Sequence, residues 1–334
     1  MKQSILLSAF ISLSQLAFSQ VPKKVVVEHF TNTKCSVCAS RNPGFYTNLN
    51  NQPGVIHLAI HPSAPYSACV LSMHNPVEND ARTNYYGIYG GTPRLVIQGV
   101  VVSSGANYSA ASIFTPYLGQ TSPASIKIVQ SKYGNDSIRS IIVIKTEAAH
   151  ALGSLKLFVA LAEDTINYTG SNGEPRHYDV FRKSLTGATG VTINLPTIVG
   201  DSVVYSMSSP VNGAWNFSRI RTIAILQEAT SKAVVQSESV LATSNNITTG
   251  VSSIYALNQN ITAFVTNNAI VVKQANYSEK TSITVYDITG KVLLNKSLVN
   301  TYEIVSLPTI SAGIYIYAIK SEASIVKTGK LIIN

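Results

Sequence analysis

The sequence predicts a multidomain α/β plus all-β protein: a small α/β domain, then a β-sandwich, then a small C-terminal β-sandwich. Three observations lead there. The chain has 334 residues, more than one ordinary domain holds. Between residues 20 and 121 apolar strand-like runs alternate with helical stretches, the pattern of a compact α/β unit. After residue 122 the helical stretches cease, and short apolar runs recur between clusters of Gly, Asn, Asp and Ser. With 45% hydrophobic and 12% charged residues, a disordered chain is excluded.

The order along the chain follows from local signals. Lys2, the apolar stretch Ile5 to Leu16 and the small residues Ala17 and Ser19 before Gln20 read as a signal peptide over residues 1–19. No cysteine follows that cut, which argues against a lipoprotein anchor. No later segment has the ~18 uninterrupted apolar residues of a spanning helix. In residues 20–121, Val25–Phe30 and Val55–Ile60 read as strands. A helix is expected from Cys35 to Leu49, with Pro43 early in it. Asn75-Pro76-Val77-Glu78 is a helix start, carrying a cap residue, proline at the first position and an early acid. Gly90-Gly91 stops that helix, Pro93–Ile97 forms a strand, and Ser109–Leu118 a last helix. In residues 122–245 strands are expected at Ser125–Gln130, Ser137–Thr146, Ser154–Ala162, Val191–Leu195, Ser202–Met207 and Arg221–Glu228. Asn172-Gly173 and Asn212-Gly213 mark turns. Residues 246–254 form a linker. In residues 255–334 strands fall at Ala269–Lys273, Ser282–Asp287, Val292–Ser297, Gly313–Ile319 and Lys327–Ile333, with a turn at Thr289-Gly290.

The main chemical candidate is Cys35-Ser36-Val37-Cys38. Two cysteines three apart at a helix start can close a small disulfide ring, and the helix N-terminus favours a thiolate on the first. Cys35 is then the attacking sulfur and Cys38 the one that resolves a mixed disulfide. Half a zinc site has the same spacing, and a static bridge is the bland alternative. Cys69 reads as a buried small hydrophobe or a third thiol that exchanges with the pair. His57 and His61 share a strand face and, with the cysteines, are a weak metal candidate; no acidic cluster or second C-x-x-C supports it, and no metal or cofactor is expected.

The strand–loop–CSVC–helix unit, the Thr92-Pro93 step before the strand Arg94–Ile97 and the terminal helix together resemble the thioredoxin superfamily. The resemblance implies that Pro93 is cis beside the cysteine pair and that Thr92 and Pro93 seat a substrate backbone. It also places the family's buried acid at His29, with Glu28 adjacent, so these two residues are the proton-relay candidates. Lys34 stands where an aromatic is usual and favours a thiolate at Cys35. More broadly, a signal peptide, HFTNTKCSVCASRNP and a sandwich containing VALAEDTINY and HYDVFR resemble the exported family named after a 28-kDa outer-membrane protein. Residues 255–334, with Ile283 to Val292, Leu307, Gly313-Ile314-Tyr315 and Lys330 to Asn334, resemble the type A sorting domain of the type IX secretion system. That resemblance implies contact with the type IX machinery, and release of the cargo or its attachment to surface lipopolysaccharide. Asp136-Ser137-Ile138, Asp164-Thr165-Ile166 and Asp201-Ser202-Val203 resemble bacterial O-glycan acceptors.

The net charge of +9 is spread over the three segments with no basic block, so a nucleic-acid partner is not expected. The functional expectation is an exported cell-surface or secreted thioredoxin-like protein, a thiol–disulfide oxidoreductase or isomerase acting on thiols or disulfides of exported proteins. The alternative is a non-catalytic surface binding or structural protein that uses the thioredoxin fold as a scaffold. An accessible Cys35 sulfur beside a cis Pro93 favours the enzyme; a covered bridge favours the scaffold.

Overall fold

The computed structural model describes residues 20–88, 90–133, 137–240, 261–266, 269–274, 281–308, 310–321 and 324–333. The expected signal peptide over residues 1–19, the expected linker 246–254, Asp136 and Asn334 lie outside the described residues. In chain order the elements are β1 (Val21–Pro22), β2 (Val26–Phe30), α1 (Ser36–Asn50), β3 (Ile56–Ile60), α2 (Val70–Met73), α3 (Pro76–Tyr85), β4 (Arg94–Ile97), β5 (Val100–Val101) and β6 (Thr121–Ser122). Then come β7 (Ala124–Tyr133), β8 (Ser137–Thr146), β9 (Leu155–Asn167), β10 (Arg176–Ser184), β11 (Val191–Ile193), β12 (Ser202–Pro210), β13 (Ile220–Glu228) and β14 (Val234–Val240). The tail holds β15 (Ile261–Thr266), β16 (Ala269–Gln274), β17 (Thr281–Tyr286), β18 (Val292–Ser297), β19 (Tyr302–Ser306), β20 (Gly313–Ser321) and β21 (Ser324–Ile333). The chain is mostly β-sheet with few helices.

One nine-stranded sheet carries the first two segments, in the order β14-β13-β9-β10-β3-β2-β4-β5, with β11 paired to β9. β2 and β3 run parallel, joined by α1, and β4 is antiparallel to β2. The sheet passes from one segment into the other where Val180 of β10 pairs in parallel with Ala59 of β3. Sequence reasoning missed β10 because Arg176, His177, Asp179, Arg182 and Lys183 hide its alternation. It also missed β14, β15 and β19.

Strand β2 is buried on both faces. Val27 and, just before the strand, Val25 pack with Phe45 of α1, Leu95, Ile97 and Phe114. Its even residues Val26 and Phe30 pack with Leu58, Tyr86 and Ile88 on the side of α3. The same double burial explains the near-continuous apolar run of β9. Phe158, Ala160 and Ala162 face the α3 cluster. Leu155, Leu157 and Val159 face the three-stranded sheet β12-β8-β7 through Ile126, Ile142 and Ile144, which makes a β-sandwich. In the tail, sheets β15-β16-β19 and β18-β17-β20-β21 enclose Ile270, Val272, Ile283, Val285, Val305 and Ile319.

The helix starts follow their sequence signals. Asn75 caps α3 by accepting from the Glu78 N–H, with Pro76 at the first turn. The expected helix Ser109–Leu118 is instead two short 3-10 turns, Ala111–Ile113 and Thr115–Tyr117. Pro116 has no N–H to continue an α-helical ladder, and the Ala111 carbonyl accepts from the Phe114 N–H and the Thr115 hydroxyl.

Candidate functional site

The loop from Thr31 to Cys35 leaves the end of β2 and feeds α1. Cys35 is the N-cap of α1, with extended backbone, and its Sγ accepts the Cys38 N–H at 3.0 Å. A free helix N-terminal N–H aimed at a sulfur stabilises negative charge there. Cys35 and Cys38 form a disulfide, their Cα atoms 5.2 Å apart. The Sγ of Cys35 lies 3.3 Å from the Thr92 carbonyl oxygen, and the Thr92–Pro93 peptide is cis. The Tyr108 hydroxyl reaches the Pro93 carbonyl at 3.5 Å. The structure therefore gathers Cys35, Cys38, Thr92 and Pro93 at one place. Cys35 is only 2% exposed, Cys38 is fully covered, and Val37 between them is 52% exposed. Lys34 is exposed beside the pair. Next to the Thr92 loop, a cavity of about 210 Å³ is lined by Phe30, Pro62, Asp80, Thr83, Gly90 and Gly91.

The two proton-relay candidates part company, because neighbours on a strand face opposite ways. Glu28 points to the α3 side, where its carboxylate takes Arg82 Nε and Nη2 at 2.7 Å each and the Tyr86 hydroxyl at 2.5 Å. His29 points to the α1 side and lies 4.7 Å from Phe45, ring centre to ring centre, with the rings tilted by 59°. Its Nε2 meets Asn42 Oδ1 at 3.1 Å, and its Nδ1 meets His57 Nε2 at 3.4 Å. Burial, then the neighbouring His57, holds its pKa well below the usual histidine range.

Several residues unsuspected from sequence extend this network. Asn42, one helical turn beyond Cys38, donates to Thr31 Oγ1 at 2.9 Å and to Glu174 Oε1 at 2.7 Å. Asn172 donates from Nδ2 to the Cys35 carbonyl at 3.1 Å and to Glu174 Oε2 at 2.6 Å. Burial raises the Glu174 carboxyl above its ordinary value against the pull of those two amides. On the far side, His57 Nδ1 meets Asp179 Oδ2 at 2.9 Å, and Arg221 Nη2 meets Asp179 Oδ1 at 2.6 Å. Asp179 takes a positive φ of 51°, a conformation Asp tolerates better than most residues. A cavity of about 650 Å³ opens here, lined among others by Tyr46, His57, Glu174, Tyr178, Asp179 and Arg221. Of these residues the sequence had marked only His57, as a metal candidate, and Asn172, by its turn with Gly173.

His57 and His61 are both buried, but His57 is engaged by Asp179 and His29, and neither His61 nitrogen has a partner. Among the described residues no group of three or more His, Cys, Asp or Glu side chains is placed to hold a metal ion. Cys69 is buried against Leu71 and Val180, 3.3 Å from the Thr33 hydroxyl.

Comparison with known proteins bears on the chain end and the fold. Residues 265–334 match the family described as the secretion system C-terminal sorting domain. No curated protein matches. Among solved structures, HBP35 of Porphyromonas gingivalis is similar, with 18% identity and a TM-score of 0.57 over 94% of this chain and 99% of that one. At that identity the likeness concerns the fold alone. A domain of the outer membrane lipoprotein Omp28 from Porphyromonas gingivalis shares 15% identity at a TM-score of 0.28, covering 36% of this chain and 88% of that one. A two-domain fibronectin type III segment of chicken tenascin shares 10% at 0.19, covering 62% and 97%. The tail marks the chain for export through a secretion system to the cell surface or beyond.

Proposed function

We propose that this chain is an exported, thioredoxin-like thiol–disulfide oxidoreductase or isomerase. It is delivered by the type IX system and acts on thiols or disulfides of other exported proteins. The observation that carries the reading is the Cys35 sulfur at the N-terminus of α1, accepting the Cys38 N–H while lying 3.3 Å from the Thr92 carbonyl at a cis Thr92–Pro93 peptide. In this reading residues 20–121 are the redox unit, 122–245 the sandwich, 246–254 the linker and 255–334 the address. A substrate thiolate adds to Cys35, the Cys35–Cys38 bond breaks, and Cys38 leaves as a thiolate. Attack by a second substrate thiolate then releases Cys35 and completes a two-electron transfer. Thr92 and Pro93 seat the substrate backbone, and His29, on the α1 side of β2, is the relay candidate in place of Glu28, which is committed to Arg82.

One observation favours the second reading, a non-catalytic surface protein on the same scaffold: Cys35 is 2% exposed, which leaves little room for an attacking thiolate. Redox titration with turnover of a model disulfide separates the two. The enzyme reading expects a Cys35 thiolate that alkylates near neutral pH, and loss of turnover in Cys35→Ser. A pair that stays unreactive under mild reduction and never turns over sinks it.

A further inference from the structure

The turn Gly170–Glu174 joins β9 to β10 and so belongs to the sandwich segment, yet it is clamped onto the cysteine loop. Asn172 N–H donates to the Thr33 carbonyl at 3.1 Å. Its side-chain amide donates to the Asn32 and Cys35 carbonyls at 3.2 and 3.1 Å. The approach leaves no space for a side chain at Gly170, where a Cβ would stand 2.7 Å from the Thr33 carbonyl oxygen. Glu174 closes the arrangement. One carboxylate oxygen takes the amide of Asn172, which holds the backbone of Cys35. The other takes the amide of Asn42, which follows Cys38 on the same helix. Two N–H donors aimed at two oxygens are a pattern only a carboxylate satisfies; a side-chain amide would turn an NH₂ group toward one of the donors.

We propose that Glu174 is a positioning residue for the Cys35–Cys38 pair, through which the sandwich segment sets the pair's redox equilibrium. This rests on the redox reading above and deepens it. Reduction by two glutathione thiols transfers two electrons to the pair, breaking its S–S bond as glutathione disulfide forms. When Cys35 is left as a thiolate, one of the two protons released goes to Cys38 and the other to solvent. A fixed carboxylate beside the loop opposes that new negative charge, so Glu174 biases the pair toward the disulfide. The other charged or titratable groups around its cavity are Tyr46 of α1, His57 of β3, Asp164 of β9, Arg176, Tyr178 and Asp179 of β10, and Arg221 of β13. None of them accepts both amides.

The test is the redox potential of the full chain equilibrated in glutathione buffers, read from the fraction of alkylated cysteine. Glu174→Gln should favour the dithiol about tenfold over wild type, equivalent to about 30 mV. The exposed pair variant Glu238→Gln should leave it unchanged. The gap between wild type and Glu174→Gln should close in acid, where the Glu174 carboxyl is itself neutral. Should the variant fail to fold, the wild-type curve of potential against pH still bends where Glu174 protonates. A Glu174→Gln potential within twofold of wild type, or a wild-type curve without that bend, overturns the assignment. Turnover of a model disulfide by wild type is measured alongside. A shifted potential without turnover sustains the role of Glu174 and sinks the enzyme reading. Turnover with an unshifted potential does the reverse.

Discussion

Replacing Glu28 by Gln should cost this protein more than any surface change. Arg82 is fully buried and Glu28 is 2% exposed. The guanidinium also donates to the Ala188 carbonyl at 2.9 Å and to Gln227 Oε1 at 3.1 Å. Arg82 thereby ties α3, β2, β13 and the turn after β10 to one charge. Glu28→Gln keeps the volume but leaves a buried cation without its counter-charge, for which a loss of about 3–5 kcal/mol is expected. That is a large part of a typical stability on the order of 5–15 kcal/mol. At roughly 2–4 °C per kcal/mol for a unit of this size, the melting temperature should fall by about 6–20 °C. Urea unfolding read by fluorescence and by circular dichroism gives the free energy directly. The double variant Glu28→Leu with Arg82→Met removes both charges and should recover more than half of the loss, since an apolar pair of similar volume is often neutral. A single-variant loss below ~1 kcal/mol, or a double variant no better than the sum of its parts, would refute the reasoning.

Two further expectations concern the buried histidines and the C-terminal tail. His29 and His61 are wholly buried and burial holds both pKa values well below 6.5. The unfolded chain therefore binds protons that the folded chain refuses. Stability is full above about pH 6.5 and falls as pH drops below it, by about 1.4 kcal/mol per pH unit for each histidine until the folded pKa is reached. Neither His61 nitrogen has a hydrogen-bond partner to lose, so His61→Leu should remove about 1.4 kcal/mol per unit from that slope in urea unfolding between pH 7.5 and 5; an unchanged slope contradicts the assignment. For the address, removing Leu331–Asn334 should leave the protein in the periplasm, as judged by fractionation and protease shaving of whole cells. Normal surface delivery of the truncated chain would refute the sorting role of the tail.

What the sequence determined by itself was local. Cys35 and Cys38 stand three apart at a helix start, Asn75-Pro76 opens α3, and Ile283 to Asn334 carries the residues by which the address is read. Each of these signals lies within a few residues, where backbone chemistry and side-chain period act without help from the rest of the chain. The sequence also suggested Glu28 and His29 together, and only the pleat of β2 separated them, sending one to Arg82 and the other to Asn42. The joining of the first two segments into one sheet was not legible, because β10 carries charges that look like a solvated loop until Arg182 meets Glu163 and Asp179 meets His57 and Arg221. Nor was Glu174, 132 positions from Asn42, a visible neighbour of the cysteine pair. Contacts at that separation come from the register of β9 and β10 against β3, which is fixed by burial on both sheet faces and leaves no periodic trace in the residues that make them.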